Sequence, residues 1–308
     1  MKLLNFGSLN IDHVYQLDHL VREGETLASF RYNKNEGGKG LNQAVALAKA
    51  GQAVELAGAI GRDGEFLLHF LHSFGVSTAY VQILEEATGH AMIQVDKQGR
   101  NSIILYGGAN QKIDPPLIDT ILGHFSAGDA ILLQNEISQV PKIIDAAAAR
   151  GMQVILNPSP VSAAMLSWPL SKVDWFILNE IEGADLTGET RPEAILNELL
   201  RRYPACHIVL TLGEQGSVYA DRERRVRQAA VTVSAVDTTA AGDTFTGYFL
   251  HALLNHQTVE QGLEEAAWAS AITVSRPGAG KSIPTLAEVR QAIARGCIDT
   301  APAGQAGK

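Results

Sequence analysis

The chain has 308 residues, of which 46% are hydrophobic and 19% charged, and its formal net charge is −8 with a pI near 5.6. The length predicts one large domain or two modest ones, and the composition is typical of a globular protein with a sizeable core. The acidic balance argues against a nucleic-acid-binding protein, which usually carries a basic face.

The cysteines and the start of the chain bear on where the protein works. Cys206 and Cys297 are far apart in the sequence, and we interpret them as reduced thiols of a cytoplasmic protein rather than a disulfide framework. The start, MKLLNFGSLNID, lacks the long apolar core and the small-residue cleavage site of a signal peptide. No apolar run approaches the roughly 18 residues that span a bilayer, so we expect no membrane partner.

Apolar runs typical of buried strands alternate with amphipathic stretches along most of the chain. The runs are almost continuously apolar, which favours a parallel sheet covered on both faces. Gly51 and Gly151 follow two of the amphipathic stretches, as helix C-caps do. The alternation predicts a doubly wound α/β domain. The predicted strands cover 3–6, 53–60, 130–133, 153–157, 175–178 and 207–212, and the predicted helices cover 40–51, 140–151, 192–202 and 259–274.

Residues 12–36 and 88–106 break this alternation. Both look like short strands joined by polar turns, and the second predicts a hairpin that turns at Asp96–Gly99. Because both segments follow early elements of the core, we expect them to form one small β-sheet that acts as a lid over the site. The alternative is a pair of ordinary surface hairpins.

The turn after the first predicted strand, FGSLNID at 6–12, contains Asn10 and Asp12. Open α/β sheets bind ligands at the carboxyl ends of their strands. An amide close to a carboxylate suits sugar hydroxyls, which both donate and accept hydrogen bonds. Taken by itself, the stretch is also what an ordinary polar turn looks like.

Glycines open the first predicted helix, in NEGGKGLNQAVALAKAG at 35–51. Such a loop lets the backbone lie against a polyhydroxyl ligand, and Lys39 and Asn42 could supply hydrogen bonds to it. A lone GGKG is weak evidence, because a tight loop with a solvated lysine has the same letters.

The strongest local signal is AVDTTAAGDTFTGYFLHALL at 235–254, where a polar turn leads directly into an apolar helix. The unpaired N–H groups at a helix start form an anion site. Gly242 permits close approach of a ligand, and Asp243 falls in the first helical turn. The alternative is an ordinary helix start whose acid matches the helix dipole.

The letters GAGKS, within SRPGAGKSIP at 275–284, look like the end of a P-loop. The full motif needs glycine where Ser275 stands, a strand before it and a helix after it. The preceding segment, 259–274, is a predicted helix, and Pro284 follows at once. These departures argue against a P-loop NTPase. The absence of G-x-G-x-x-G after the first strand likewise argues against an NAD-dependent oxidoreductase.

Together these stretches resemble the PfkB/ribokinase family of carbohydrate kinases, and within it most closely the ribokinases. GGKGLNQAVALAKAG is similar to the family's amino-proximal signature, and VDTTAAGDTFTGYF at 236–249 is similar to its carboxy-proximal signature. The resemblance runs almost from end to end, from GSLNID at 7–12 to KSIP at 281–284. Between them lie GGAN (107–110), LLQNEIS (132–138), LNPSP (156–160), NEIEGADLTG (179–188) and LTLGEQGS (210–217).

The resemblance implies a single ribokinase-like α/β/α domain over 1–300, with a mostly parallel central sheet and a small β-sheet lid. The small and polar residues at 301–308 predict a disordered tail. It implies transfer of the ATP γ-phosphate to a primary hydroxyl of a sugar, with D-ribose as the expected acceptor and ribose 5-phosphate as the product. Deoxyribose, another pentose, a ketohexose or a nucleoside stay open as acceptors. A non-catalytic sugar or nucleotide sensor on the same fold is a further alternative. A homodimer that pairs through the lid is also implied.

The expected site residues come from the same resemblance. Asp243 is expected to be the catalytic base and to touch the sugar at the attacking hydroxyl. The backbone N–H groups of Ala240, Ala241, Gly242 and Asp243 are expected to form the anion hole for the migrating phosphoryl group. The other expected sugar contacts are Asn10, Asp12, Gly38, Lys39, Asn42 and Glu136, and the expected nucleotide contacts are Asn179, Thr211, Gly213, Gly216 and Gly242.

The resemblance also implies two cations. Asn179 and Glu182 are three apart, on one face if they are helical, and are expected to help organise the Mg²⁺ that is bound to the phosphates. The loop at 275–284 and the VDTT segment are expected to enclose a monovalent cation, usually K⁺, that activates the enzyme. Arg276 would contribute its backbone carbonyl to this cation. The matching positions are Asp237, Thr239, Thr273, Arg276, Gly278 and Ser282.

Overall fold

The computed structural model describes residues 1–298, so the predicted disordered tail at 301–308 lies outside the described residues. Strands and helices alternate over this range as predicted. The strands are β1 Leu3–Phe6, β2 Asn10–Leu17, β3 Arg31–Gly37, β4 Glu55–Gly61, β5 Ser77–Leu84, β6 Gly89–Asp96, β7 Asn101–Tyr106, β8 Ala130–Gln134, β9 Gln153–Asn157, β10 Trp175–Asn179, β11 His207–Thr211, β12 Ser217–Ala220 and β13 Arg225–Gln228. The helices are α1 Lys39–Lys49, α2 Glu65–His72, α3 Pro115–Leu122, α4 Val140–Ala149, α5 Glu180–Thr187, α6 Pro192–Arg202, α7 Ala241–Leu254, α8 Val259–Val274 and α9 Leu286–Arg295.

Local signals set several element boundaries. Strand β9 and helices α6 and α8 begin and end at the predicted residues. Helix α8 starts with a capping box, in which the Thr258 hydroxyl accepts from the Gln261 N–H and the Gln261 side chain accepts from the Thr258 N–H. Gly51 and Gly151 follow α1 and α4 with φ of 89° and 71°, a backbone conformation that glycine adopts without steric cost.

The described chain divides into two compact units, and the prediction of one domain over 1–300 stays a prediction. The first unit comprises Met1–Ala44 and Val54–Val173. Five of its strands form a fully parallel sheet in the order β9-β8-β1-β4-β5. All four residues of β1 and all five of β8 are buried, which is the pattern of parallel strands covered on both faces.

The first unit also contains the predicted small sheet. The segments 12–36 and 88–106 supply its four strands, in the order β3-β2-β6-β7, with β2 and β6 parallel and the other pairs antiparallel. The second segment turns at Asp96–Gly99 as predicted. There the Asp96 carboxylate accepts from the N–H groups of Gln98 and Arg100, and Gly99 has a φ of 77°. The two segments therefore form one small sheet rather than two unrelated hairpins.

The second unit comprises Val45–Ala53 and the chain from Asp174 onward. Its strands are ordered β13-β12-β11-β10, with β10 and β11 parallel and the other two pairs antiparallel. Adjacent residues of β10 face opposite sides of the sheet. Trp175 packs against Phe249 of α7 on one side, and Phe176 packs against Tyr203, at the end of α6, on the other. Helices therefore cover both faces of this unit's sheet, and the α/β fold class is confirmed.

Two further features concern the sequence-based expectations. Among residues 1–298, no helix combines the length and the apolar character that crossing a membrane requires. Cys206 is a buried free thiol, and Cys297 is an exposed one. Burial raises the pKa of the Cys206 thiol to about 12, so this cysteine is an unreactive core residue at neutral pH.

Candidate active site

The GGKG loop lies directly against the turn that follows β1, and glycine is required at the contact. Gly38 has a φ of 94°, and a Cβ at this position would lie 2.9 Å from the Asn10 backbone nitrogen. A Cβ on Gly40 would lie 2.4 Å from the Ser8 backbone nitrogen. Side chains at either position would therefore push the two backbones apart. The contact brings the FGSLNID turn at 6–12 and the GGKG loop together.

The Glu136 carboxylate joins the same two segments. It follows β8, and its Oε2 accepts hydrogen bonds from the Ser8 hydroxyl and from the Lys39 backbone N–H, the latter at 3.0 Å. Ser8 also accepts from the Gly40 N–H at 3.3 Å through its Oγ. Charge-assisted bonds of this kind are stronger than neutral ones, so Glu136 holds the start of α1 against the first turn. The sequence did not identify Ser8 as a site residue.

A second residue outside the predicted set, Asn110 of the GGAN stretch, fixes Asn10. The Asn110 Nδ2 donates to the Asn10 Oδ1 at 2.7 Å and to the Leu9 carbonyl at 3.2 Å, and its Oδ1 accepts from the Leu9 N–H at 3.1 Å. Asn110 is 1% exposed. The Asn10 amide is therefore held in one orientation by a buried partner that lies 100 residues away in the chain.

Asp12 is the most perturbed carboxyl group of this region. Burial, and after it the negative charge of Glu136, raise its pKa from 3.8 to about 7. The neighbouring Gly37 leaves room for the carboxyl group, because a Cβ on Gly37 would lie 2.3 Å from the Asp12 Oδ2. Two neighbouring carboxyl groups, together with the Asn10 amide, suit a polyhydroxyl ligand.

The turn before α7 has the features of an anion site. The helix begins at Ala241, and Ala240 before it is left-handed, with a φ of 61°. This conformation costs a non-glycine residue roughly 1–3 kcal/mol, and it recurs at functional sites. Gly242 is exposed, and a Cβ there would meet no atom within 4 Å. Asp243 is 7% exposed and belongs to the first helical turn.

The Asp237 carboxylate connects that turn to the loop at 275–284. Its Oδ1 accepts from the Thr239 N–H and its Oδ2 from the Gly278 N–H, both at 2.9 Å. Burial alone would raise the pKa of Asp237, but the hydrogen bonds from Thr239 and Gly278 outweigh it and lower the pKa. An ionised carboxylate therefore lies between the two segments that the sequence assigned to a monovalent cation.

The remaining residues of the predicted cation site lie at the end of α8 and along the same loop. Thr273 is buried in the last turn of α8, and its carbonyl accepts from the Arg276 N–H at 3.1 Å. The Arg276 guanidinium forms an ion pair with Glu288 at 2.8 Å, which leaves its backbone carbonyl as the group available to a cation. The Ser282 hydroxyl donates to the Ala279 carbonyl at 2.7 Å. Carboxylate, hydroxyl and carbonyl oxygens are the ligands that a hard cation takes, so the residues present fit such an ion.

The structure also excludes the P-loop interpretation of GAGKS. Ser275 is the C-cap of α8, so a helix rather than a strand precedes the motif. Residues 276–282 form turns, and the next helix, α9, starts only at Leu286. No helix start is therefore available to bind phosphate directly after the lysine.

The three-residue spacing of Asn179 and Glu182 does not place them on one helix face, because Asn179 lies outside the helix. Asn179 ends β10 in extended conformation and is the N-cap of α5. Its Oδ1 accepts from the Glu182 N–H at 2.8 Å, and the Glu182 Oε2 accepts from the Asn179 N–H at 3.0 Å. This capping box satisfies two N–H groups at the helix start. Both residues therefore have a structural role, which is to fix the start of α5. The three-residue spacing alone does not distinguish this role from cation binding.

The other predicted nucleotide contacts follow β11. Thr211 ends β11 and pairs in register with Asn179 of β10, so both lie at carboxyl ends of parallel strands. A Cβ on Gly213 would meet no atom within 4 Å, whereas a Cβ on Gly216 would lie 2.0 Å from the Gln228 carbonyl oxygen. Gly213 therefore faces open space, and strand packing alone already requires glycine at 216.

The predicted residues thus fall into two sets. The expected sugar contacts other than Asp243 lie in the first unit and are Asn10, Asp12, Gly38, Lys39, Asn42 and Glu136. The residues predicted for phosphate, nucleotide and cations lie in the second unit, from Asn179 to Ser282. Among the described residues, no group of three or more His, Cys, Asp or Glu side chains could hold a metal ion.

Comparison with known proteins identifies the class. The family of pfkB carbohydrate kinases matches residues 1–286, and the chain belongs to this family. It is therefore a carbohydrate kinase by family, with a ribokinase-like fold.

Its relatives include ribokinases and a deoxyribokinase. It is 36% identical over 296 residues to a ribokinase of Haemophilus influenzae, with 92% of this chain and 95% of that protein covered. It is 30% identical over 305 residues to a deoxyribokinase of Salmonella typhi, with 94% of this chain and 98% of that protein covered. A ribokinase structure from Arabidopsis thaliana, solved with ribose and ATP, has a TM-score of 0.83 and 30% identity and covers 94% of this chain and 97% of that chain.

The raised pKa of Asp12 predicts a pH dependence of stability. Because the pKa is near 7 in the folded protein and 3.8 without the fold, the folded state binds more protons over this range, and stability falls as the pH rises through it. The Asp12→Asn variant lacks this titration. We expect the free energy of unfolding of the wild type, relative to the variant, to fall by roughly 1–3 kcal/mol between pH 5 and pH 8. Urea unfolding at both pH values measures this change, and equal pH dependence of the two proteins would contradict it.

Proposed function

We propose that the protein transfers the γ-phosphate of ATP to the primary hydroxyl of a sugar, and that its acceptor is D-ribose, phosphorylated at the 5-hydroxyl. Family membership and the similarity to ribokinases over more than nine-tenths of the chain support this proposal. The single structural observation that carries it is the contact of the GGKG loop with the turn after β1. This contact gathers amide and carboxyl groups that match sugar hydroxyls.

The proposed reaction needs one base and one anion site. The oxygen of the sugar hydroxyl forms a bond to the γ-phosphorus, the bond from that phosphorus to the β,γ-bridging oxygen breaks, and ADP leaves. Asp243 accepts the hydroxyl proton. A carboxylate at a helix start is a weak base, but a loose phosphoryl-transfer transition state needs little early deprotonation. The backbone N–H groups at Ala240–Asp243 are proposed to stabilise the charge of the migrating group.

The proposed sugar contacts combine acceptors and donors. The carboxyl groups of Asp12 and Glu136 and the amides of Asn10 and Asn42 bind hydroxyls, and Lys39 adds a donor. A site built to hydrogen-bond a hydroxyl discriminates strongly against an analogue that lacks it. The similarity to a deoxyribokinase keeps deoxyribose as the second candidate.

The nucleotide is proposed to bind at the ends of β10 and β11. Asn179, Thr211 and Gly213 lie there, with Gly216 in the same turn and Gly242 at the start of α7. An ATP-dependent kinase uses Mg²⁺, which neutralises phosphate charge when bound. Mg²⁺ keeps several of its waters, so Glu182, whose Oε2 is engaged in the capping box, is proposed to organise it through water.

A monovalent cation, usually K⁺, is proposed to bind where Asp237 joins the two loops. The oxygens of Asp237, Thr239, Thr273, Arg276, Gly278 and Ser282 are the proposed ligands. Such an ion would order the turn at 239–243 through Asp237 and Thr239 without touching the substrate.

We also propose a cytoplasmic homodimer that pairs through the small sheet. Strand β7 is an edge strand, and all six of its residues are exposed. Among them, Ile103 and Leu105 are 51% and 59% exposed. An exposed apolar edge is a template for pairing with another chain, and a second copy of this chain would cover it.

A panel of acceptors tests the proposed activity. Coupled detection of ADP should give D-ribose a kcat/KM at least about tenfold above those of deoxyribose, ketohexoses and nucleosides, because the polar groups of the sugar site would otherwise be left unpaired. Equal or lower activity with ribose would remove ribose as the specific acceptor. Sugar binding without any turnover would favour the alternative of a non-catalytic sugar or nucleotide sensor on the same fold.

The matched control for that assay is Asp243→Asn, which keeps the shape of the side chain and removes the base. We expect kcat to fall by about 10²–10⁴-fold, with ATP affinity within about threefold of wild type. A kcat close to wild type would contradict the proposed role of Asp243.

Potassium should activate the enzyme. Replacing KCl with tetramethylammonium chloride at equal ionic strength is expected to lower kcat at least about tenfold, because the carboxylate-bound turn loses its cation. Asp237→Asn should raise the K⁺ concentration for half-maximal activity, whereas Asp221→Asn, at the β12–β13 turn, should leave it unchanged. Equal rates in both salts would overturn the cation site.

A further inference from the structure

A cluster of buried amide side chains lies beneath the start of α1. Three of its members stand on neighbouring strands of the parallel sheet, β1, β8 and β9, and the fourth belongs to α1. None is more than 9% exposed. The members of this amide cluster are Asn5, Gln43, Gln134 and Asn157.

Gln134, the last residue of β8, is the centre of the amide cluster. Its Nε2 donates to the Asn5 Oδ1 at 3.0 Å and to the Gln43 Oε1 at 2.6 Å. The Asn5 Nδ2 donates in turn to the Gly40 carbonyl at 2.7 Å, and the Gln43 Nε2 donates to the Asn157 Oδ1 at 3.0 Å. The cluster therefore holds α1 at two points near its start, Gly40 and Gln43.

The side-chain oxygen of Gln134, Oε1, indicates why an amide stands at this position. This oxygen is buried and has no hydrogen-bond partner among residues 1–298. It lies so close to Gly7 that a Cβ there would be 2.1 Å away. A buried acceptor without a partner costs free energy, and an apolar side chain of the same size would avoid that cost. The amide is thus explained by its two N–H donors rather than by packing.

The turn that the amide cluster holds carries proposed sugar contacts. Lys39 and Asn42 alternate along α1 with Gly40 and Gln43. The carboxylate that binds the Lys39 N–H belongs to Glu136, two residues beyond Gln134. The end of β8 therefore fixes the first turn of α1 twice, once through Gln134 below it and once through Glu136 beside it.

We propose that Gln134 is a positioning residue that sets sugar affinity, because its two hydrogen bonds fix the turn that presents Lys39 and Asn42. This inference rests on the proposed function, since it assigns those two residues to the sugar. Gln134 acts on the sugar through α1 and takes no part in nucleotide binding or phosphoryl transfer.

The test is Gln134→Met, which conserves the size of the side chain and removes both donors. We expect the KM for ribose to rise at least about tenfold, with the KM for ATP within about twofold and kcat within about threefold of wild type. Amide hydrogen exchange at residues 39–43 should become at least about tenfold faster. An unchanged KM for ribose in a variant whose wild-type parent phosphorylates ribose would overturn the inference.

A matched control separates positioning from general stability. Asp129 lies just before β8, at the opposite end of the strand, and its carboxylate accepts from the N–H groups of Lys2 at 2.7 Å and Ser126 at 3.0 Å. Asp129→Asn should lower the melting temperature while leaving the KM for ribose and exchange at 39–43 unchanged. A rise in the KM for ribose in this control as well would show a merely structural effect and overturn the inference.

Two further outcomes are also decisive. If Gln134→Met does not fold, Gln43→Met breaks the same bond from the helix side and must give the same rise in the KM for ribose. If the wild type phosphorylates no ribose, the proposed function fails, and the exchange rates at 39–43 alone decide whether Gln134 positions the turn.

Discussion

The close approach of two glycine-containing backbones is the constraint on which the proposed sugar site depends. Gly38 and Gly40 allow the start of α1 to lie against Ser8 and Asn10 at distances that no side chain would permit. The Glu136 carboxylate then bridges the two segments. Without this contact the polar groups of the two motifs would be separate, and each motif would be no more than a polar turn. The contact converts them into one set of groups that suits a polyhydroxyl ligand.

The second unit uses a carboxylate in a comparable way. Asp237 accepts from N–H groups of two segments that are 39 residues apart, at Thr239 and Gly278. The left-handed Ala240 follows directly and opens α7 with Asp243 in its first turn. The GAGKS letters thus belong to a loop tied to the anion turn, and the helix start that suits a phosphate is that of α7.

The elements could be predicted from the sequence because their signals are local. Continuous apolar runs predicted β8 and β9, and a proline at the first helical position predicted the start of α6. Site residues were predicted where a motif carried them. Ser8, Asn110 and Gln134 were missed because their bonds join residues 128, 100 and 129 positions apart, and no local pattern reports such a bond. The capping box of Asn179 and Glu182 was not foreseen, since a three-residue spacing fits both a helix face and a capping box.

We propose that the protein phosphorylates ribose at its 5-hydroxyl. The most direct measurement is the ³¹P NMR spectrum of the product formed from ribose, ATP, Mg²⁺ and K⁺. We expect a phosphate monoester signal split by the two hydrogens of C5, together with an equal amount of ADP. A signal split by a single hydrogen, or ADP release without any sugar phosphate, would contradict it.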